Sequence, residues 1–567
     1  MKAKIVTLGL AALAMTQLII AQNLEWAKSM GGFNNNAGQS IAVDNNGNVF
    51  TTGYFQGTAD FDPGPNTYNL TSAGESDVFV LKLDNSGNFI WAIQLGSWYE
   101  TDRGISVAAG TSGDVYVTGI FFGSVDFDPG PGTFNLTSTG SWDTFILKLD
   151  AAGNFIWAKR IGGLQFTSVY HLAIDTSENI YLTGFFKETI DFAGLPILTS
   201  YLTGGGDAFV LKLNSNGGLI WAKQFGGAGT TIGTSIKSDQ SGSVYVSGIF
   251  SGTVDFNPDP AISAVFNYTS FGVGDGFITK LDINGDLMWA LQIGGTAGDG
   301  VNSISLDASG NAYAVGWFQG ICDFNPSAGS FNLTADGDDI FVAKYNSLGI
   351  FQWAKKMGGV GSDRGHSIYL DASGNIYTTG FFQGSAQFDP GTTSFILSAS
   401  GSNNTAAFIS KLDSSGSFLW AGKLGGNGET SSNSIFVDAS ANIYTTGLFG
   451  GTDDFDPNNT SLNLTSSGLS DIFIVKLGQT LTSISEFNSD VKFTAYPNPT
   501  HRELLIDLGD EYQAIHIAVK NAQGQDIKRE YISAGRQIPI FIDGPTGVYF
   551  IETITNHRKV TFKVIKH

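Results

Sequence analysis

The chain has 567 residues, 74 of them glycine, with 14% charged and 13% aromatic side chains and a formal net charge of −21. So acidic a chain repels phosphate backbones, which excludes nucleic acid as a partner class. Its single cysteine, Cys322, cannot form an internal disulfide, and its place in the pattern described below is held elsewhere by small residues such as Ala59, Val125 and Val254.

Residues 1–21 read as a secretory signal peptide. Lys2 and Lys4 give a basic start, Ile5 to Ile20 is mostly apolar, and Ala21 offers a small residue before a cut at Gln22. Thr16 and Gln17 interrupt a run already short for spanning, and no later stretch is a spanning helix, so the mature chain is expected to have no transmembrane segment.

From residue 22 to 478 the chain repeats itself. The dipeptide Trp-Ala recurs at Trp26, Trp91, Trp157, Trp221, Trp289, Trp353 and Trp420, at spacings of 65, 66, 64, 68, 64 and 67. A fixed long period is the signature of a repeat architecture. Each unit offers four strand-like segments, seen first in Ser40–Asp44, Val49–Phe61, Val78–Asp84 and Phe89–Leu95. Asx-Gly clusters at Asp44–Asn48 and Asp84–Asn88 predict tight hairpin turns. From Gly53 to Phe61 is eight residues, and the same step recurs in all seven units. From Gly53 to Lys82 and its equivalents the distance runs from 28 to 32. Paired strands do not tolerate a slip of register, so the variable stretch after Phe61 is expected to be a loop between strands two and three.

The last unit keeps its third strand, Asp471–Gly478, and then lacks a Trp-Ala strand. The missing copy stands at the N-terminus, in Asn23–Gly32. A chain that begins with strand four and ends with strand three can close a ring. The sequence therefore predicts an all-β fold: a seven-bladed β-propeller of four-stranded blades, closed by the N-terminal strand, rather than an open solenoid with capped ends. Phe55 and its equivalents, two residues after the glycine, are expected to pack between blades. The runs SIAVDNNGNVFTTGYF and DVFVLKLDNSGNFIWA resemble the bacterial β-propeller repeat family labelled SBBP, which implies a scaffold rather than one activity; the inserted DFDPGP…NLTSxG segment departs from it.

Residues 479–490 are polar and unpatterned and read as a linker; residues 491–567 read as a small β-sandwich. This tail resembles the type A sorting domain of the type IX secretion system of Bacteroidota. The matching text is Tyr496-Pro497-Asn498-Pro499, then Gly547, Val548, Tyr549 and Phe550, and a closing basic strand from Lys559 to Lys566. The resemblance implies type IX secretion machinery as a partner. It also implies a protein either secreted or attached to the outer-membrane surface.

Candidate chemistry is sparse. Asp60/Asp62, Asp126/Asp128 and Asp454/Asp456 stand at i, i+2, which on a strand puts both carboxylates on one face and suits Ca²⁺. Against this, the pair is broken in the other units, and strand-ending turns use Asp in the same way. Asp77, Asp143, Asp207, Asp275, Asp339 and Asp471 precede strand three, with Ala406 the exception, and recurrence suggests backbone bonding. Arg103 and Arg364, beside Asp102 and Asp363, read as surface pairs. No unique catalytic cluster, and no other cofactor motif, stands out. The reading is a binding scaffold for glycan or extracellular protein, with an extracellular polysaccharide hydrolase or lyase acting at the propeller mouth as the alternative. Up-and-down blades place the tight turns on one face and the long connections on the other, so Trp98, Tyr99 and Phe166 are the candidate ligand contacts, with packing between blades as the alternative for all three.

Overall fold

The computed structural model describes residues 21–98, 100–192, 194–201, 205–258, 266–325, 329–401, 404–458, 460–480, 494–521, 526–555 and 558–566. The leader expected over 1–21 lies outside them but for Ala21, and so do Tyr99 and residues 481–490 of the expected linker. The chain divides into two compact units, up to Thr480 and from Leu481.

The first is all strand and turn among its described residues. Its repeat is an antiparallel meander, exemplified by Ala37–Val43, Val49–Phe55, Asp77–Leu83 and Phe89–Leu95, hydrogen-bonded in that order. The two hairpin turns form as their chemistry dictates. Asp84 Oδ1 accepts the N–H groups of Ser86 and Asn88, and Gly87 takes a φ of 77°. The last meander takes its fourth strand from the N-terminus: Ala21–Gly32 pairs antiparallel with Asp471–Thr480, from Ala21↔Thr480 to Met30↔Ile472. That strand runs two residues past the boundary expected at 478.

The second strand is shorter than the sequence suggests, and the variable stretch is not all loop: it contains one short strand, Asn69–Thr71, and the length variation falls in the loops on either side of it. The chain turns at Gly57, φ 66°, and Thr58–Asp60 then pairs with Asn69–Thr71 as a separate hairpin. This hairpin docks on the fourth strand of the preceding unit, Gly31↔Asp60 and Gly32↔Ala59, and extends that sheet to six strands. The same clasp recurs at Gly162↔Asp191, Gly226↔Asp255, Gly294↔Asp323 and Gly358↔Gln387. It accounts for the Gly-Gly pairs. A Cβ on Gly31 would lie 2.2 Å from the Asp471 carboxylate, and one on Gly32 would lie 2.0 Å from the Thr58 carbonyl of the hairpin.

The core lies between units. Phe55, Phe61 and Phe79 pack edge to face or tilted at 5.3 and 5.1 Å. They share a buried cluster with Met30, Tyr444, Ile472 and Ile474 of the last unit. A second tie runs along the tight-turn face. Lys148 lies over the Tyr116 ring at 4.8 Å, an arrangement found in every unit with Phe50 in place of Tyr in the first. Lys82 and Trp91 both donate to the Ala151 carbonyl in the next unit's turn, at 2.7 and 3.4 Å.

Each first strand touches the first strand of the next unit, and Thr430–Val437 touches Ala37–Val43. Side-chain acceptors join them. Ser40 Oγ accepts from Val107 N–H, Ser106 from Leu172, Ser235 from Ile304, Ser367 from Ile435, and Ser434 from Ile41. In the third unit His171 replaces the serine, and its Nδ1 accepts from Ile236 N–H at 3.3 Å.

The second unit is a single five-stranded antiparallel sheet in which Glu503–Lys520 and Asp526–Phe541 pair along most of their length. The register breaks between Asp507 and Tyr512, where Gly509 has a φ of 76°, and the two halves of the long strands contribute to one core of Leu504, Ile506, Leu508, Ile515, Ile517 and Val519. The strands of the expected sandwich are thus hydrogen-bonded as one connected sheet among the described residues.

Candidate functional site

Two kinds of connection meet on one face of the repeat unit. The link from Leu95 to Arg103 lies beside the segment that enters the third strand: Glu75 N–H donates to the Glu100 carbonyl and Asp102 N–H to the Ser76 carbonyl. The same bridge joins Asn35 to Ser470, Gly274 to Gly298 and Asp338 to Ser362. Buried carboxylates fasten it. Asp102 accepts from Ser97 N–H at 2.6 Å and from Phe122 N–H at 2.8 Å, and burial raises its pKa to about 6. Asp299 and Asp363 hold their links likewise, raised by burial to about 7 and about 6. The surface pairs expected with Arg103 and Arg364 do not form. Arg103 stacks on the Tyr54 ring at 4.7 Å, and Arg364 pairs with Asp338 at 2.6 Å, because Asp102 and Asp363 turn inward to backbone N–H groups.

A rigid link exposes the residue that follows its first two. Phe33, Trp98, Leu164 and Val360 occupy that position in four links and are 81%, 76%, 75% and 86% exposed. Leu469, 68% exposed, adjoins Phe33 through its N–H to the Phe33 carbonyl. Apolar side chains held outward at equivalent places mark a surface built for contact rather than scattered exposure. Trp98, singled out from sequence, is among them. Phe166 is not: it is half-buried between Trp142 and Phe185, centroids 5.6 and 5.9 Å away, and serves packing. Phe33 and Val360 were missed. The signal was available, since each follows a Gly-Gly pair, but only the hairpin docked on those glycines shows that the next side chain has nowhere to go but out.

The aspartate pairs lie where the clasp hairpins turn. Asp60 Oδ1 accepts from Asp62 and Tyr68 N–H at 3.0 and 2.8 Å, and Asp62 from Gly64 N–H at 2.8 Å. Asp126 and Asp128 repeat this with Phe134 and Gly130, and Asp454 and Asp456 with Leu462 and Asn458. Among the described residues no three His, Cys, Asp or Glu side chains converge as a metal site. The aspartates before strand three are buried and bind backbone: Asp77 accepts from Ala73 and Gly74 N–H and from the Gln94 amide, and burial raises its pKa. Cys322 is buried, and burial together with the nearby Asp299 and Asp275 pushes its thiol up, away from reactivity.

In the second unit the sorting residues hold the domain together. Asn498 bridges the last strand, donating to the Lys563 carbonyl at 2.6 Å and accepting from Ile565 N–H at 2.9 Å. Tyr549 is buried and donates to the Pro545 carbonyl at 2.6 Å. Gly547 and Lys559 lie in the two closing strands, paired with Lys566 and Ile554. Tyr496 is half exposed, and Pro497 and Pro499 are exposed. Among the described residues no helix is long and apolar enough to cross a membrane.

These features define an all-β repeat protein carrying a separate C-terminal signal domain. Residues 494–567 match the secretion system C-terminal sorting domain family. The match marks the chain for the type IX secretion machinery, which delivers it to the medium or to the outer-membrane surface. The chain is also 26% identical over 508 residues to an uncharacterized WD repeat-containing protein, L264, of Acanthamoeba polyphaga mimivirus, covering 75% of this chain and 36% of that one. It is 29% identical over 159 residues to the regulatory protein FlaEY of Caulobacter vibrioides, covering 27% of this chain and 16% of that one. The chain thus spans well under half of either curated relative. The first likeness agrees with a propeller-like repeat fold.

Proposed function

We propose that residues 22–478 form a seven-bladed β-propeller closed by its N-terminal strand. Exported by means of residues 491–567, it acts as a binding scaffold for glycan or extracellular protein outside the cell. The pairing of Ala21–Gly32 with Asp471–Thr480 supports closure. The observation that carries the binding reading is the row of outward apolar side chains, Phe33, Trp98, Leu164 and Val360, on the link face. The tight turns opposite are mostly short and polar, as at Asn46 and Ser86, with Ile283 and Leu348 among the exposed apolar exceptions. The test is a panel of extracellular polysaccharides and envelope proteins offered to the mature chain, read for retention and for product release. Retention that falls at least tenfold with Trp98→Ala and Phe33→Ser, and holds with Asn46→Ala and Ser86→Ala, is the expected result. Product release would make the protein a polysaccharide-active enzyme instead, and loss confined to the turn variants would move the site to the opposite face.

A further inference from the structure

The first strands of all seven repeats line one cavity of about 260 Å³. Aligned on their bulges, they share an inward position that is serine in six units and His171 in the third. Two residues further along each strand the copies diverge: Ala42, Ala108, Ala173, Lys237, Ser305, Tyr369 and Phe436. Repeated residues are those the scaffold needs in every unit. Here three alanines form a smooth arc, while the rest of the circle carries a cation, a hydroxyl and two aromatic rings.

Lys237 faces the lumen because its neighbour Ile236 is buried in the core between units and side chains alternate along a strand. It is half-buried, and among the described residues no ion pair or hydrogen bond engages its ammonium. Asp239, two residues on, is committed elsewhere: it pairs with Lys280 at 3.3 Å and accepts from Ser241 and Ser243 N–H. An unanswered cation inside so acidic a chain calls for an anion from outside. His171 lies beside it. Since Nδ1 accepts the Ile236 N–H, the neutral ring carries its proton on Nε2, a second donor. Across the cavity Tyr369 and Phe436 pack at 4.9 Å and present a fixed aromatic wall.

We propose that this lumen binds a single sugar acid, with its carboxylate on Lys237 and His171 and its ring face on Tyr369 and Phe436. A pyranose offers an apolar face to the aromatic pair; the lysine selects the acid over the neutral sugar. The volume lies below the usual range of small-molecule sites, about 300–1,000 Å³, and suits one sugar residue rather than a chain. The site does not involve the exposed link residues.

The test is calorimetry and thermal denaturation of the mature chain with glucuronate, glucose and benzoate as probes. Glucuronate should bind and raise the melting temperature, with glucose and benzoate at least tenfold weaker. Lys237→Ala should abolish the difference between glucuronate and glucose, and it should fold, because alanine holds this position in three other units. Tyr369→Ala should weaken glucuronate at least tenfold, and Lys237→Arg should keep it. Trp98→Ala should leave it unchanged, which separates this site from the link face. Absence of glucuronate binding, equal binding of glucose or of benzoate, or undiminished binding by Lys237→Ala would overturn the proposal. Loss with Trp98→Ala would place the sugar acid on the link face instead and overturn it equally.

Discussion

The clasp between units can be broken by one methyl group. Gly295 ends the fourth strand Leu287–Gly295, and its neighbour across the clasp is Cys322. A Cβ at 295 would sit 1.9 Å from the Ile321 carbonyl oxygen and 2.9 Å from its carbon, so hairpin and strand must separate by more than an ångström. Separation forfeits the two-residue pairing Gly294↔Asp323 and Gly295↔Cys322, at roughly 1 kcal/mol for each hydrogen bond. It also loosens the packing of Cys322 and Phe324, both fully buried, at about 1–2 kcal/mol. Gly295→Ala is therefore expected to cost about 3–4 kcal/mol, a large part of the 5–15 kcal/mol that holds a typical domain folded. The lone cysteine gives a local readout. In the native protein Cys322 should resist an aqueous thiol reagent; in Gly295→Ala it should label at least tenfold faster without denaturant, and urea unfolding should begin earlier. Gly329→Ala is the control, since its nearest neighbour is 3.5 Å away. Equal labelling in Gly295→Ala and native protein, with unchanged urea unfolding, would refute the clasp.

Deleting residues 22–32 should remove the pairing with Asp471–Thr480, bury nothing in its place, and prevent a cooperative thermal transition; an unchanged melting temperature would sink the closed ring. Asn498→Ala should loosen the last strand of the sorting domain by about 1–2 kcal/mol and increase its cleavage in limited proteolysis of the full chain, while the repeat domain stays intact. His171→Ser should remove a pH dependence. Burial first, and then the Lys237 charge, lowers the His171 pKa to about 3, so between about pH 6.5 and 3 the unfolded chain holds a proton that the folded one does not. Native stability should therefore fall relative to His171→Ser as pH drops from 7 to 4.5, by about 1–2 kcal/mol once lumen water is allowed for, as read from urea midpoints at each pH.

What could be read from the chain follows from how local each signal is. The four strands and the tight turns were legible because runs of β-branched and aromatic residues and the Asp-x-x-Gly-Asn chemistry between them act within a few residues. The displaced Trp-Ala copy located the partner of Asp471–Thr480, since a count of like segments needs no geometry. The clasp hairpin was illegible as a hairpin: its second partner belongs to the preceding unit, and strands of three residues carry no readable period. Phe166 could not be told from Trp98 because an aromatic in a link looks the same whether it points out, like Trp98, or in, toward Trp142. Lys237 could not be recognised before the first strands were set side by side, as only then does position three of that strand become one circle.

The exception at Ala406 shows how strictly the links constrain the repeat. Six units place a buried aspartate before strand three to gather backbone N–H groups of the entering segment and the link, and the first glycine of the link leaves room for it. Where Ala406 stands, that carboxylate is gone, and Gly425 and Gly426 instead take φ values of 69° and 107°. The lost acceptor returns from another strand. Asp453 lies in the clasp hairpin at the position that is Ala59, Val125, Val254, Cys322 or Ala386 in other units. Fully buried, it accepts from Asn427 N–H at 2.8 Å and from the Thr430 hydroxyl. One buried carboxylate has moved across the interface while the link stays fastened. The requirement is for an acceptor at a place in space, not for a residue at a place in the text. The same logic lets His171 Nδ1 stand in for a serine hydroxyl on the inner circle. Substitutions that keep the hydrogen bond are scaffold repairs; Lys237, whose ammonium makes none among the described residues, is of the other kind.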